Sequence, residues 1–234
     1  MRRLGFGSHH LQLPPIVSRL RRRFDLSQNR KAGLAVNLSK LRKIKSMIID
    51  LLRQEHRNIE KLLLVLEQEL SVFDRGERPD YEVVRAVITY FEAYPDAYHH
   101  PQEDIVFKKL KAVDPAAAAN IGDLAAEHRS GAERLRRVAQ AIESVLADRV
   151  ILRQTVNNII RDFIVHERHH IAMEERDFFP AAVKALQPQD WAEIASTLAD
   201  QKHDPLFSEI VEERFDAVRR YILQLEQEAE AERA

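Results

Sequence analysis

Ten histidines occur in 234 residues, and their spacing points to chemistry. His99 and Glu103 stand four apart, as do His170 and Glu174. On a regular α-helix that spacing brings both side chains to one face. The pattern is also duplicated. His56 precedes His128 by 72 residues, while His99 precedes His170 and Glu103 precedes Glu174 by 71. The words around them agree: Glu55-His56-Arg57 with Glu127-His128-Arg129, and His99 to Asp104 with His170 to Glu175. Phe107 and Phe178 follow at the same offset. Two helix hairpins, each with one His helix and one His-x-x-x-Glu helix, would send four imidazoles and two carboxylates toward a common axis. That set of donors suits a pair of divalent cations, with imidazoles capping each ion and carboxylates bridging or neutralising the pair.

The elements needed to position these groups are helices. Ile49, Leu52, His56, Ile59, Leu63, Leu66 and Leu70 step by three and four, the stripe of an amphipathic helix starting near Met47. Asp74-Arg75-Gly76 should end it, with glycine in the left-handed position. Asp80 can cap a second helix carrying Val84, Ile88 and Phe91, which Pro95 and Pro101 should kink or split. Asp114-Pro115 opens a third helix, whose stripe is Ile121, Leu124, His128, Gly131, Leu135, Val138, Ile142 and Val145. A fourth runs from about Arg149 to Leu186, with Val156, Ile159, Phe163, His166, His170, Glu174 and Phe178 on one face. Shorter helices are expected over Pro188–Asp200 and from Asp204-Pro205 onward. No segment alternates as a strand. The fold class is all-α: an up-down four-helix bundle over residues 47–186, with extra C-terminal helices over 187–234.

Residues 1–46 differ in kind. They hold twelve Lys or Arg against one acid, Asp25, although the whole chain has a net charge of −1. They read as a basic, flexible N-terminal extension; a targeting peptide is an alternative, and a nucleic-acid arm a weaker one. No apolar run approaches the roughly 20 residues a spanning helix needs. The chain has no cysteine, which excludes disulfides, thiolate nucleophiles and cysteine-held iron–sulfur clusters, and fits a reducing, cytoplasmic setting. Six glycines argue against a phosphate-cradling loop.

Burial energetics weigh on the six inward groups. An unsatisfied buried polar group costs about 1–3 kcal/mol, and a charge more. A domain is stable by only about 5–15 kcal/mol. The groups therefore need compensation, from metal ions or, alternatively, from His–Glu hydrogen-bonded pairs or a wet seam. A ferritin-like centre would need Glu-x-x-His on two helices; only Glu167–His170 fits.

On these residues the chain resembles the hemerythrin-like, HHE cation-binding family. The resemblance covers about residues 47–186. It is carried by Gln54 to Leu63, His99 to Phe107, Ala126 to Arg129, and His170 to Glu175 with Phe178-Phe179-Pro180. It implies a non-haem di-iron centre with His56, His99, His128 and His170 as terminal ligands. Glu103 and Glu174 would be bridging carboxylates, with an oxo or hydroxo bridge from solvent and Zn or Mn as possible substitutes. The implied partners are O2, NO or peroxide, for sensing, iron handling or stress protection, with no membrane. Enzymatic NO or peroxide reduction, iron–sulfur centre repair and a purely structural metal are the alternatives. The oxygen-carrying branch has a second histidine four residues along the third helix, where this chain has Ala132. The 4-His, 2-Glu pattern is similar instead to the branch linked to iron–sulfur repair and NO chemistry.

Further expectations attach to single residues. His166 could add a fifth nitrogen. Tyr94 or Tyr98 could hydrogen-bond a bound diatomic. Glu55 and Glu127 could hold the ligand histidines from behind. His100 and His169 lie about 100° round the helix from the ligands and should be flanking. His9, His10 and His203 read as solvated or structural, and the tail from Glu226 to Glu232 as an exposed helix end.

Overall fold

The computed structural model describes residues 34–198, 204–209, 211–231 and 233, with side chains from Lys43 onward. His9, His10 and His203 lie outside the described residues.

Helix α1 (Leu34–Asp74) begins upstream of Met47, so residues 34–46, read as a flexible extension, are helical. Ile44 and Ile48 extend the apolar stripe of that helix and are buried with Trp191 and Ile194. It stops as the Asp74-Arg75-Gly76 word implied. Gly76 has φ 86°, and the Gly76 and Glu77 amides donate back to Phe73 and Val72. Helix α2 (Tyr81–Ala93) is capped by the Asp80 carboxylate, which accepts from the Glu82 and Val83 amides. A π-turn at Pro95–His99 follows, and then α3 (His100–Val113). Pro101 explains the turn: its ring would clash with the carbonyl of Ala97 in a straight helix. Widening the preceding turn, with the His100 amide bonded to Pro95 O, relieves that clash.

The single third helix expected from Pro115 is two. α4 (Pro115–Ile121) ends at Gly122, whose φ of 100° a side-chain-bearing residue rarely adopts. Asp123 then caps α5 (Leu124–Leu146). The fourth helix starts later than expected, as α6 (Arg153–Met173), and continues through a second π-turn at Glu174–Phe178 into α7 (Phe179–Ala185). Pro180 stands two residues past that turn, as Pro101 stands two past the first. α8 (Pro188–Thr197) packs on α1. The expected helix at Asp204-Pro205 does not form there. Asp204 Oδ1 accepts from the Leu206 and Phe207 amides, and its other oxygen accepts from Tyr90 OH at 3.0 Å. The last helix, α9 (Asp216–Ala231), begins after a 3-10 turn and packs on α1 and α2. Near its end Glu226 pairs with Lys61 at 2.6 Å.

The fold is an all-α bundle of α1, α2–α3, α5 and α6–α7, with no strand among the described residues. Its apolar interior is in two parts. One holds Leu62, Leu66, Val87, Phe91, Val138 and Phe163; the other holds Leu52, Val106, Leu110, Phe178, Phe179 and Trp191. On each of the four bundle helices the histidines and glutamates of interest stand between these parts. No described helix is long and apolar enough to cross a membrane.

Candidate metal centre

Each bundle helix delivers one or more side chains to a buried polar layer. α1 supplies His56; the first π-turn and α3 supply His99, His100 and Glu103; α5 supplies His128; α6 and the second π-turn supply His170 and Glu174. All are buried. The Nε2 atoms of the four expected ligand histidines converge on the two carboxylates. Glu103 Oε1 lies 3.2 Å from His56 and 3.4 Å from His99. Glu103 Oε2 lies 3.5 Å from His128. Glu174 Oε2 lies 3.3 Å from His56, and Glu174 Oε1 lies 3.5 Å from His128 and 3.2 Å from His170. Each carboxylate thus turns one oxygen toward the first hairpin's imidazoles and the other toward the second's. Two ions placed side by side need that arrangement of a bridge.

His100 joins this layer, against the expectation that it would flank it. Its ring stacks on His128 at 4.3 Å and meets His170 edge-on at 5.7 Å. Donor atoms of His100, Glu103, His128 and His170 lie within 4.8 Å of one another, as do those of His56, His99 and Glu103. The reason is the π-turn. Its extra residue per turn leaves His99 and His100 both inward, with Glu103 between them. Pro101 was the sequence signal for that turn. His169, by contrast, is exposed. His166 is only half-buried, with its ring 6.2 Å from that of His170, and stands outside both groups of converging donors. The buried stripe of α6 passes through Ile160 and Glu167 instead of Ile159 and His166. Gly131 lets Glu167 in: a Cβ there would meet Glu167 Oε1 at 2.9 Å.

Behind the centre, carboxylates hold the outer nitrogens. His99 Nδ1 lies 2.8 Å from Glu55 Oε2, and Tyr94 OH donates to Glu55 Oε1 at 2.7 Å. Tyr94 therefore serves Glu55 rather than facing the space between the carboxylates. His56 Nδ1 lies 3.0 Å from Glu175 Oε1, and His128 Nδ1 lies 3.2 Å from Asp104 Oδ1. His100 Nδ1 lies 3.3 Å from Asp96 Oδ1. Glu127, expected to mirror Glu55, is exposed. Asp104, Glu175 and Asp96 were not singled out in the sequence, because acids on a charged helix carry no mark of what they face.

Proton affinities follow from this packing. Burial opposes charge on His56 and His128, yet the facing Glu103 and Glu174 carboxylates outweigh it. Glu175 adds to the effect at His56. They rise to about 11 at His56 and about 10 at His128. For His170, burial wins and the value falls to about 4. Burial also lowers His100. Against their own burial, Glu103 and Glu174 are held below the ordinary range by the surrounding imidazoles. Burial, with Asp96 and Glu174 adding to it, pushes Glu167 up to about 8. His99 is raised as well, by Glu103 and Glu55 against its burial, so in the absence of a cation protons on His56, His99 and His128 are what offset the two carboxylates.

That neutralisation is incomplete. Glu103 Oε2, both Glu174 oxygens, and Nε2 of His128 and His170 are buried without a hydrogen bond. Orphaned acceptors at the centre of a bundle are costly, and nearly all of these can be metal donors. The donor set fits metal ions.

Residues 47–182 match the hemerythrin HHE cation binding domain, more than half of the chain. The chain belongs to that family. No curated protein and no solved structure matches it. An HHE domain binds cations, and in this one the His/Glu layer is able to hold a metal-ion cluster.

Proposed function

We propose that this HHE domain holds two iron ions and uses them to bind a small molecule, O2, NO or peroxide, for sensing, iron handling or stress protection. His56 and His99 would hold one ion. His128 and His170 would hold the other, with His100 beside them, and Glu103 and Glu174 would span the pair. The observation that carries this reading is the two-faced contact of each carboxylate, one oxygen toward His56 and the other toward His128. The donors are unequal: two imidazoles gather on one side and three on the other. The His56–His99 side is therefore the poorer in donors, and a small ligand would belong there. Iron in such a place supplies an open coordination position and exchangeable electrons. The cysteine-free composition fits a reducing compartment, and the cytoplasm is the proposed location.

The test is metal analysis of protein loaded with ferrous iron, with optical spectra before and after air, NO and dithionite. Two irons per chain and a reversible spectral change on O2 or NO are expected. Sustained consumption of NO or peroxide with a reductant would make it an enzyme, and stoichiometric iron that never reacts and that zinc can replace would make the metal structural. The double substitution Glu103→Ala/Glu174→Ala should abolish iron binding; a double variant that keeps two irons would refute the ligand assignment.

A further inference from the structure

The acids that directly follow the two bridging candidates reach across the bundle. Glu103-Asp104 belongs to the first hairpin, yet Asp104 stands 3.2 Å from Nδ1 of His128 in the second. Glu174-Glu175 belongs to the second hairpin, yet Glu175 stands 3.0 Å from Nδ1 of His56 in the first. Neighbours on a helix point about 100° apart, so one acid can enter the centre while the next grips the flank of a facing helix. Glu175 is itself held: its other oxygen accepts from Arg53 Nε at 2.9 Å, and Arg53 precedes His56 on α1 by nearly one turn. Arg53, Glu175 and His56 thus close a loop between α1 and the second π-turn. Asp104 is more exposed, and the His128 Nδ1 beside it is not aligned as a hydrogen bond.

We infer that Glu175 is a positioning residue for the metal side built on His56 and His99, and that Asp104 is its weaker counterpart for the side built on His128 and His170. An imidazole offers its Nε2 lone pair only when the ring proton sits on Nδ1. An acceptor at Nδ1 fixes that tautomer and the ring's direction, and also raises the basicity of the ligating nitrogen. Each hairpin therefore contributes an inward carboxylate to both ions and an outward acid to the other hairpin's histidine. The duplicated acid-acid words, Glu103-Asp104 and Glu174-Glu175, are the sequence form of this crossed brace. Its consequence is side-specific: truncating Glu175 weakens one ion and spares the other.

This inference rests on the two-ion reading. The experiment is anaerobic titration of the full chain with Co2+ against a chromophoric chelator, for wild type, Glu175→Ala, Glu175→Gln and Asp104→Ala. Wild type should take two ions. Glu175→Ala should keep one at wild-type affinity and bind the other about 10–100-fold more weakly, the usual range for outer partners of metal ligands. Glu175→Gln should recover most of the loss, because its amide oxygen still accepts from Nδ1–H. Asp104→Ala should show a smaller loss on the other ion. Both ions bound normally by Glu175→Ala would overturn the inference and leave the two-ion reading intact. Equal weakening of both, or no recovery with Gln, would also overturn it, since that is what general loosening produces. A wild-type chain that binds no metal would sink the two-ion reading and this inference together. Glu175 is about one-third exposed, so the Ala variant should fold, and a cooperative metal-free thermal unfolding transition checks that.

Discussion

The two halves of the centre share a sequence pattern and differ in how it is supported. In the first half, both ligand histidines have an outer partner: His56 has Glu175 and His99 has Glu55. In the second half, His128 has only the misaligned Asp104, and His170 Nδ1 is buried without a hydrogen bond. The word Glu-His-Arg occurs in both halves, yet Glu55 is buried and Glu127 is exposed. The π-turns break the repeat too. One ends at His99; the other starts at Glu174. The first therefore brings an extra imidazole inward, and the second does not. The lesson is that a duplicated pattern preserves the donors and leaves their support free to diverge. Donors must meet at one point, whereas a support residue answers only to its local neighbours.

The comparison breaks most sharply at Glu55 and Glu127. Glu55→Ala would strand Tyr94 OH and His99 Nδ1, each at about 1–3 kcal/mol for a buried unsatisfied group. Glu127→Ala should stay within about 0.5 kcal/mol, as for surface positions generally. Denaturant unfolding of the metal-free proteins measures both, and equal effects would restore the symmetry denied above. A second contrast sets His100 against His166. His100→Ala should lower metal affinity on the His128–His170 side, by about the 10–100-fold seen when metal-site partners are lost, and His166→Ala should leave it near wild type. Chelator competition decides this; a larger loss for His166→Ala would return that residue to the ligand set.

A third contrast is in pH. In the metal-free protein His56 and His128 are raised from an ordinary 6.5 to about 11 and about 10. The stability they contribute is complete below pH 6.5 and lost as pH rises through 10 to 11. His170 is lowered to about 4, so its contribution is present above pH 6.5 and lost as pH falls through 4. Removing His56 should flatten the alkaline limb of a stability–pH curve, and removing His170 the acid limb. Bound metal should remove the alkaline limb, because ligated nitrogens no longer take protons, and steepen the acid limb, where protons compete with the metal for those nitrogens.

Much of the fold was legible beforehand because its signals are local. Three-and-four spacing from Ile49 to Leu70 implied α1, Gly76 its end, and Asp80, Asp114 and two flanking prolines the breaks between helices. The start of α1 at Leu34 was not, since a basic stretch with sparse apolar residues hides a helix that Trp191 and Ile194 cover from far along the chain. The break at Gly122 was missed because Ile121 and Leu124 keep a helical step across it. Asp204 looked like a helix cap; it does accept from the Leu206 and Phe207 amides, but no helix follows, and Tyr90, distant in sequence, holds its other oxygen.

At the centre, spacing alone determined that His56, His99, Glu103, His128, His170 and Glu174 would lie on buried faces in two matching sets. Periodicity follows from helix geometry, which each short segment carries within itself. Only the tertiary structure decided that His100 turns inward, that Glu55 is enclosed while Glu127 meets water, and that Glu175 and Asp104 reach across to the opposite hairpin. Those outcomes depend on a widened turn relieving a proline clash and on which helix lies opposite. Pro101 marks the widened turn locally, but where that turn aims His100, and which helix lies opposite, are relations between distant segments that no single stretch of sequence contains.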